Sequence, residues 1–383
     1  MNERTGRCGL LNLQKKGLVV VSEITITKLK ICPVLVPLRR PVVVMTGQVT
    51  MAPLVLIDLE RSDGSVGRSY LFTYSPIALK ATAALLRDLA PVVEGTPAEP
   101  RGLHTRLLGQ FKLLGTEGVT LMAIAGIDMA AWDAVGQSIG RPLYQVLGGA
   151  AKALSAYNSN GMGLIGPGRV AGEARDLLAE GGFSALKVRL GYPDVDTDLA
   201  VLDEVRTAVG EATTIVTDYN QGLSVAEAKQ RLTVLAGKKL GWIEEPIAFD
   251  NYDGLAELRA VSTIPIQGGE NHWGPGDMAR ATSAGALDLV MIDAMKIGGV
   301  TGWLEASSLA RAAGWPVSSH LFPEVSTHLM CADPGAHWLE WVDWANPILK
   351  DPYEVVNGKV TPPDRPGMGL EWDEGKVAQY AIG

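Results

Sequence analysis

Apolar and polar positions follow one rhythm in the first third of the chain and another afterwards. From Ser22, Ile24, Ile26, Leu29 and Ile31 alternate with polar residues and predict a strand. Leu54 to Leu59 and Val66 to Leu71 predict two more, turned by Ser62-Asp63-Gly64. Pro41 to Met51, rich in Val, Thr and Met, reads as a loop between the first strand and this pair. Helical periods follow over Ile77 to Leu89, His104 to Leu114 and Glu117 to Ile139, the last stopped by Gly140-Arg141-Pro142. Strands followed by helices describe an α+β unit.

Past Ala153 the rhythm becomes a strict alternation of strand and helix. The strands are Leu154 to Ser159, Ala185 to Leu190, Thr214 to Asp218, Leu240 to Glu244, Ile264 to Gly268, Leu287 to Asp293, Pro316 to His320 and Ala336 to Trp341. Helices such as Asp198 to Val209 and Val225 to Leu235 fill the intervals, and only seven fit between eight strands. The pattern is that of a compact α/β barrel. Residues 1–20 show no period and read as an extension. The Pro- and Gly-rich stretch from Asn346 has no barrel period and is expected to return to the first unit. The division is therefore 1–20, 21–153, 154–342 and 343–383.

Composition narrows the classes. With 20% charged residues, a net charge of −8 and no basic block, the chain has no footprint for nucleic acid. Cys8, Cys32 and Cys331 are far apart, so neither a disulfide framework nor a zinc site is expected, and a reducing cytoplasm is the expected home. Leu18 to Val21 is too short for a signal-peptide core. Val119 to Val135 carries Asp128 and Asp133 and reads as a buried helix, so no membrane is expected.

Three patterns imitate known chemistry. Gly161-Met162-Gly163-Leu164-Ile165-Gly166 matches a dinucleotide loop literally, yet the next strand ends Lys187-Val188-Arg189 and supplies no acid for a ribose. Asp194, Asp196 and Asp198 open like a calcium loop, but Leu199 stands where glycine is needed. Ser318-Ser319-His320 has too little spacing to be a triad by itself.

Strand ends carry a more coherent signal. Asp218, Glu244 and Glu270 close consecutive strands and are each 26 residues apart. That interval is one unit of an eight-unit barrel of ~250 residues, so three neighbouring units bring oxygen ligands to the same rim. Hard oxygen ligands suit Mg²⁺ far better than zinc. Along the strand ends the ionisable residues run Lys187 and Arg189, Asp218 with Asn220, Glu244, Glu270, Asp293, His320 and Glu340. Singly, each reads as a salt bridge, a cap or a structural histidine. Together they would bury uncompensated charge at several kcal/mol per ion unless a site used them.

From about Ser22 to the C-terminus the sequence resembles the mandelate racemase subgroup of the enolase superfamily. The stretches that carry the likeness are Ala52 to Leu59, Ser69 to Phe72, Ala125 to Asp133, Asp293 to Trp303 and Ser318 to Phe322, with the spacing from Lys187 through Glu340. The resemblance implies a modified TIM barrel, (β/α)₇β, with an α+β capping domain. It implies Mg²⁺ on Asp218, Glu244 and Glu270, and a small-molecule carboxylate substrate that becomes an enediolate. His320 would be the base, oriented by Asp293, and Glu340 a protonated acid of raised pKa. Lys187 would add positive charge near the carboxylate, and Asn220 and Ser159 would contact substrate. A homo-oligomer, octamer or dimer, is implied as well. His272, His328 and His337 have no place in the pattern.

One position departs from it. The racemase pattern is Lys-x-Lys, with the second lysine a base facing His320, and here Arg189 stands there. A guanidinium is a poor base. A one-base acid-sugar dehydratase is then the alternative to a mandelate-type racemase, with a catalytically inactive binding protein as the third reading. Val42, Val43, Met45 and Val49, with Phe72, Tyr74 and Leu321, suit an aryl or alkyl substituent, whereas Arg39, Arg40 and Thr46 could meet a hydroxylated or diacid tail.

Overall fold

The computed structural model describes residues 23–44 and 47–382, so the expectations for residues 1–20, Met45 and Thr46 lie outside the described residues. Strands β1 (Ile26–Val44), β2 (Gly47–Arg61) and β3 (Val66–Phe72) form an antiparallel sheet in that order. Of the loop expected over Pro41 to Met51, the described residues 41–44 and 47–51 belong instead to the paired strands β1 and β2, where Val42 pairs with Val49 and Val43 with Gln48. Valines favour the pleated backbone. Leu38 to Pro41 lie against Thr50 alone, an irregularity that takes up Pro41 and bends the ribbon.

Helices α1 (Pro76–Val93), α2 (Pro100–Gln110) and α3 (Val119–Ile139) cover this sheet, followed by the short α4 (Leu143–Val146). Ser75 caps α1 by accepting from the Ile77 N–H, and proline occupies the first turn. Helix α3 is long and apolar enough to cross a membrane, but 83% of its most apolar window is buried inside the protein. It lies hard against β3: a Cβ on Gly67 would stand 1.9 Å from the Ala130 carbonyl.

Eight parallel strands build the barrel: β4 (Leu154–Asn158), β5 (Ala185–Arg189), β6 (Thr214–Asp218), β7 (Leu240–Glu244), β8 (Ile266–Gly268), β9 (Leu289–Asp293), β10 (Val317–His320) and β11 (Leu339–Trp341). They pair in sequence from β4 to β10, and β11 pairs with β4. Closure comes from the Ser319 N–H on Trp338 O (3.1 Å) and the His337 N–H on Val317 O (2.7 Å). Among the described residues seven helices alternate with them: α5 (Val170–Ala179), α6 (Val195–Val209), α7 (Val225–Leu235), α8 (Tyr252–Val261), α9 (Pro275–Ala284), α10 (Gly299–Ala312) and α11 (Pro323–Ala332). The fold is a modified TIM barrel with an α+β capping domain. Tyr157, Ala185, Val216 and Trp242 fill the barrel interior as an apolar cluster of their own, with the Tyr157 and Trp242 rings edge to face at 5.4 Å.

The tail does two things. Strands β12 (Val355–Val356) and β13 (Lys359–Val360) first add a hairpin to β4. The chain then returns to the cap, where Trp372 Nε1 donates to Asp58 Oδ1 (2.7 Å) and Ala381 bridges Val34; helix α12 (Glu374–Tyr380) lies between these contacts. Cap and barrel are also joined by Asp128 of α3, which accepts from the Thr301 N–H (2.9 Å) and hydroxyl (2.6 Å) at the start of α10. Burial raises the Asp128 pKa to about 7 against those hydrogen bonds. A Cβ at Gly299, whose φ is +84°, would sit 2.4 Å from Asp128 Oδ2.

Candidate active site

Each barrel strand alternates its side chains between interior and helix layer, so a residue at the end of a strand, or just past it as Glu270 is past β8, can turn into the mouth of the barrel. Asp218, Glu244 and Glu270 do so together: one carboxylate oxygen from each lies within 4.8 Å of the other two, all three buried. Asn220, at φ +44°, folds back on the strand end. Its backbone N–H and side-chain amide both donate to Asp218, at 2.7 and 2.9 Å. Trp242 Nε1 donates to Glu244 Oε2 (3.3 Å). Glu270 Oε2 is buried and makes no hydrogen bond, leaving an acceptor beside a cluster that could hold a hard divalent cation.

Lys187 is the cation already among these acids. Its ammonium lies 2.7 Å from Glu340, 2.8 Å from Glu244 and 3.3 Å from Asp218. Burial alone would lower its pKa, but the three carboxylates outweigh that and hold it well above the ordinary value. Glu244 is raised as well, but by burial, which Lys187 offsets only in part against the neighbouring acids.

His320 and Asp293 meet across β10 and β9, where the strands pair them directly. His320 Nδ1 is 2.7 Å from Asp293 Oδ2. Asp293 Oδ1 accepts from the backbone N–H groups of Met295 (2.8 Å) and Lys296 (2.9 Å), so the carboxylate cannot rotate freely. The other ring nitrogen, Nε2, is 3.3 Å from Glu270 Oε2 and 3.7 Å from Glu340 Oε2. Burial opposes the imidazolium, yet Glu270, Glu340 and Asp293 together raise its pKa.

Glu340 shifts against one expectation. Burial would raise its pKa, but Lys187, His320 and the Leu321 N–H (2.9 Å) pull it down to about 2. The Lys187 ammonium 2.7 Å away favours the charged form of Glu340, the opposite direction to the raised pKa that the resemblance implies. Glu270 is also lowered, its burial outweighed by His320, Lys187 and Lys296.

At the end of β5, Arg189 is buried and donates to the Gly161 carbonyl at 2.7 Å, with Nε making no hydrogen bond. Ser159 is buried with its hydroxyl unpartnered. The glycine-rich stretch after β4 is explained by the cap: a Cβ on Gly163 would stand 2.4 Å from the Val43 carbonyl, and Leu164 N donates to that same oxygen (2.9 Å). It is a landing place for the hairpin.

Above the mouth, Phe72 contacts Tyr74 at 4.8 Å and Trp344 at 5.0 Å between ring centroids. Leu321 is buried next to His320 at φ +49°. Arg39 and Arg40 do not supply the polarity expected of them. Arg39 pairs with Glu180 (2.8 Å) and Asp343 (3.3 Å), and Arg40 with Glu180 (3.0 Å), which pins the hairpin base to the barrel. The decoy acids are likewise engaged: Asp194 caps α6 and Asp198 accepts from the Gly191 and Tyr192 N–H groups and from Arg231.

Sequence reasoning did not pick out Glu245, Asn271, Lys296 and Trp344. Glu245 and Asn271 each directly follow a strand-end acid, a positional signal that was available; Lys296 and Trp344 carried no such mark. A cluster that can hold a dication beside an oriented imidazole is suited to removing a proton next to a carboxylate.

Comparison with known proteins agrees with this chemistry. Residues 26–148 match the family model described as mandelate racemase / muconate lactonizing enzyme, N-terminal domain, and residues 169–376 match enolase C-terminal domain-like. A solved enolase from alpha proteobacterium bal199 with bound Mg is 43% identical, covering 94% of this chain and 100% of that one, with a TM-score of 0.92. An enolase from Bradyrhizobium complexed with magnesium and mandelic acid is 41% identical, covering 95% of this chain and 100% of that one, with a TM-score of 0.90. The L-talarate/galactarate dehydratase of Salmonella typhimurium is 29% identical over 346 residues, 88% of this chain and 86% of the relative.

Proposed function

Since the chain belongs to the mandelate racemase/muconate lactonizing enzyme family of the enolase superfamily, we propose that it removes the α-proton of a 2-hydroxy carboxylate in a Mg²⁺-dependent reaction with His320 as the base. The observation that carries this is the approach of His320 Nε2 to within 3.3 Å of Glu270, one corner of the acidic triad. Asp218, Glu244 and Glu270 would hold Mg²⁺. When bound, the dication would act as a Lewis acid on the substrate carboxylate and offset part of the negative field around His320.

Asp293 fixes the imidazole through Nδ1 and leaves Nε2 to take the proton. Lys187 lends a positive charge on the other side of the carboxylate, and Glu340 keeps that ammonium in place. Ser159 offers a buried hydroxyl to the substrate, and Arg189 a fixed guanidinium. The Phe72, Tyr74 and Leu321 wall, with Arg39 and Arg40 engaged elsewhere, supports an aryl or alkyl substituent, and so a mandelate-type racemase.

A second reading rests on Arg189. Racemisation requires a proton to be returned on the face opposite His320, and a guanidinium does this poorly. Loss of a β-hydroxyl after a single abstraction needs no second base, so an acid-sugar dehydratase remains the alternative. The test is incubation in D₂O with Mg²⁺, using (R)- and (S)-mandelate and galactarate. Exchange of the α-proton with loss of optical rotation supports the racemase, and 2-keto acid from galactarate supports the dehydratase. Absence of Mg²⁺-dependent exchange from all three would overturn the proposal.

A further inference from the structure

Behind the acidic triad a buried lysine connects parts supplied by three segments of the chain. Lys296 follows Asp293 by three residues in the turn leading to α10 and is 5% exposed. Its ammonium donates a short hydrogen bond to Asn271 Oδ1 and lies 4.3 Å from the centroid of the Tyr74 ring. The amide nitrogen of Asn271 in turn donates to Glu245 Oε2 (2.6 Å) and to Glu270 Oε1 (3.2 Å). The Tyr74 hydroxyl reaches Asp293 Oδ2 (3.4 Å), the oxygen that holds His320.

A buried ammonium costs several kcal/mol unless charge and hydrogen bonds offset it. Here the offset is spread: one amide carbonyl, one aromatic face, and the field of two glutamates beyond the amide. Because Lys296 occupies the Asn271 carbonyl, the Asn271 NH₂ group must turn toward the glutamates. An asparagine flipped the other way would set its carbonyl against two acids. Glu270 is thereby held by Oε1, and Oε2, which makes no hydrogen bond and lies 3.3 Å from His320 Nε2, is the oxygen left free to turn.

We propose that Lys296 is a positioning residue for Glu270. Acting through Asn271, it fixes which Glu270 oxygen is presented to the cation, and its contact with Tyr74 ties that setting to the cap. This rests on the reading of Glu270 as a metal ligand. Partners of this kind typically govern metal affinity by 10–100-fold.

The experiment is calorimetric titration of the full chain with MgCl₂, without substrate. Lys296→Met should raise the Mg²⁺ Kd about 10–100-fold, and Lys296→Arg, which keeps charge and donor, should restore most of the loss. Asn271→Ala tests the same link should Lys296→Met not fold. Against a Glu270→Gln background, Lys296→Met should add little, because both act through one carboxylate. A wild-type Kd in folded Lys296→Met, or in Asn271→Ala, overturns the inference. A wild-type Kd in Glu270→Gln overturns instead the metal-ligand reading beneath it.

Discussion

The two flanks of the barrel mouth follow different rules. On the β9–β10 side, both oxygens of Asp293 and Nδ1 of His320 are partnered, and Nε2 alone faces the triad. On the β4–β5 side, Arg189 is tethered to Gly161, and Arg189 Nε, Ser159 Oγ and Asn160 Nδ2 are buried without hydrogen-bond partners. The first flank is a group whose proton affinity can change, held in one orientation. The second presents a fixed cation and unspent donors, which fits holding a ligand in place better than exchanging protons with it.

The largest expected effect breaks the first flank. His320→Asn should lower α-proton exchange about 10²–10⁴-fold while calorimetry still finds Mg²⁺ bound; unchanged exchange would remove His320 from the role of base. Arg189→Lys converts the second flank toward a group able to lose a proton. It should raise exchange from the opposite face by several-fold, read as loss of the faster-to-slower ratio between (R)- and (S)-mandelate in D₂O. An unaltered ratio would mean that Arg189 only positions substrate.

The smallest effect on activity comes from the support beneath the first flank. Glu324, four residues past His320, accepts from the Tyr70 hydroxyl (2.6 Å) and is raised by burial to about 7. Its folded pKa exceeds its unfolded value near 4.5, so the folded state binds the extra proton between those values. Stability from this group therefore falls as pH climbs from about 4.5 to about 7. Glu324→Gln should match wild type in melting temperature near pH 5 and exceed it near pH 8, with exchange activity unchanged. Equal melting curves at both pH values would show that Glu324 does not titrate this way.

Much of this was legible along the chain. The switch from segregated strands and helices to strict alternation marked cap and barrel, because side-chain period follows local backbone geometry. Starts of strands were read two or three residues early at Ile264, Leu287 and Ala336, where apolar residues precede the first ladder hydrogen bond. In the Pro41 to Met51 stretch, Pro41 and the polar residues interrupt the alternation and give the pattern of a loop, while the pairing of Val42 with Val49 is a contact between strands that no local pattern shows.

The sequence by itself determined the spacing that brings Asp218, Glu244, Glu270, Asp293, His320 and Glu340 to one rim, since strand ends in a barrel must converge. Tertiary structure alone decided their charge states and partners. Lys187 and Glu340 are 153 residues apart in the chain, yet their 2.7 Å contact is the largest influence pulling the Glu340 pKa down. Arg39 and Arg40, polar residues near the mouth by sequence, are drawn instead to Glu180, which lies 140 residues or more along the chain. Ionisation and side-chain direction depend on distances that close only when the barrel does, and no local pattern encodes those distances.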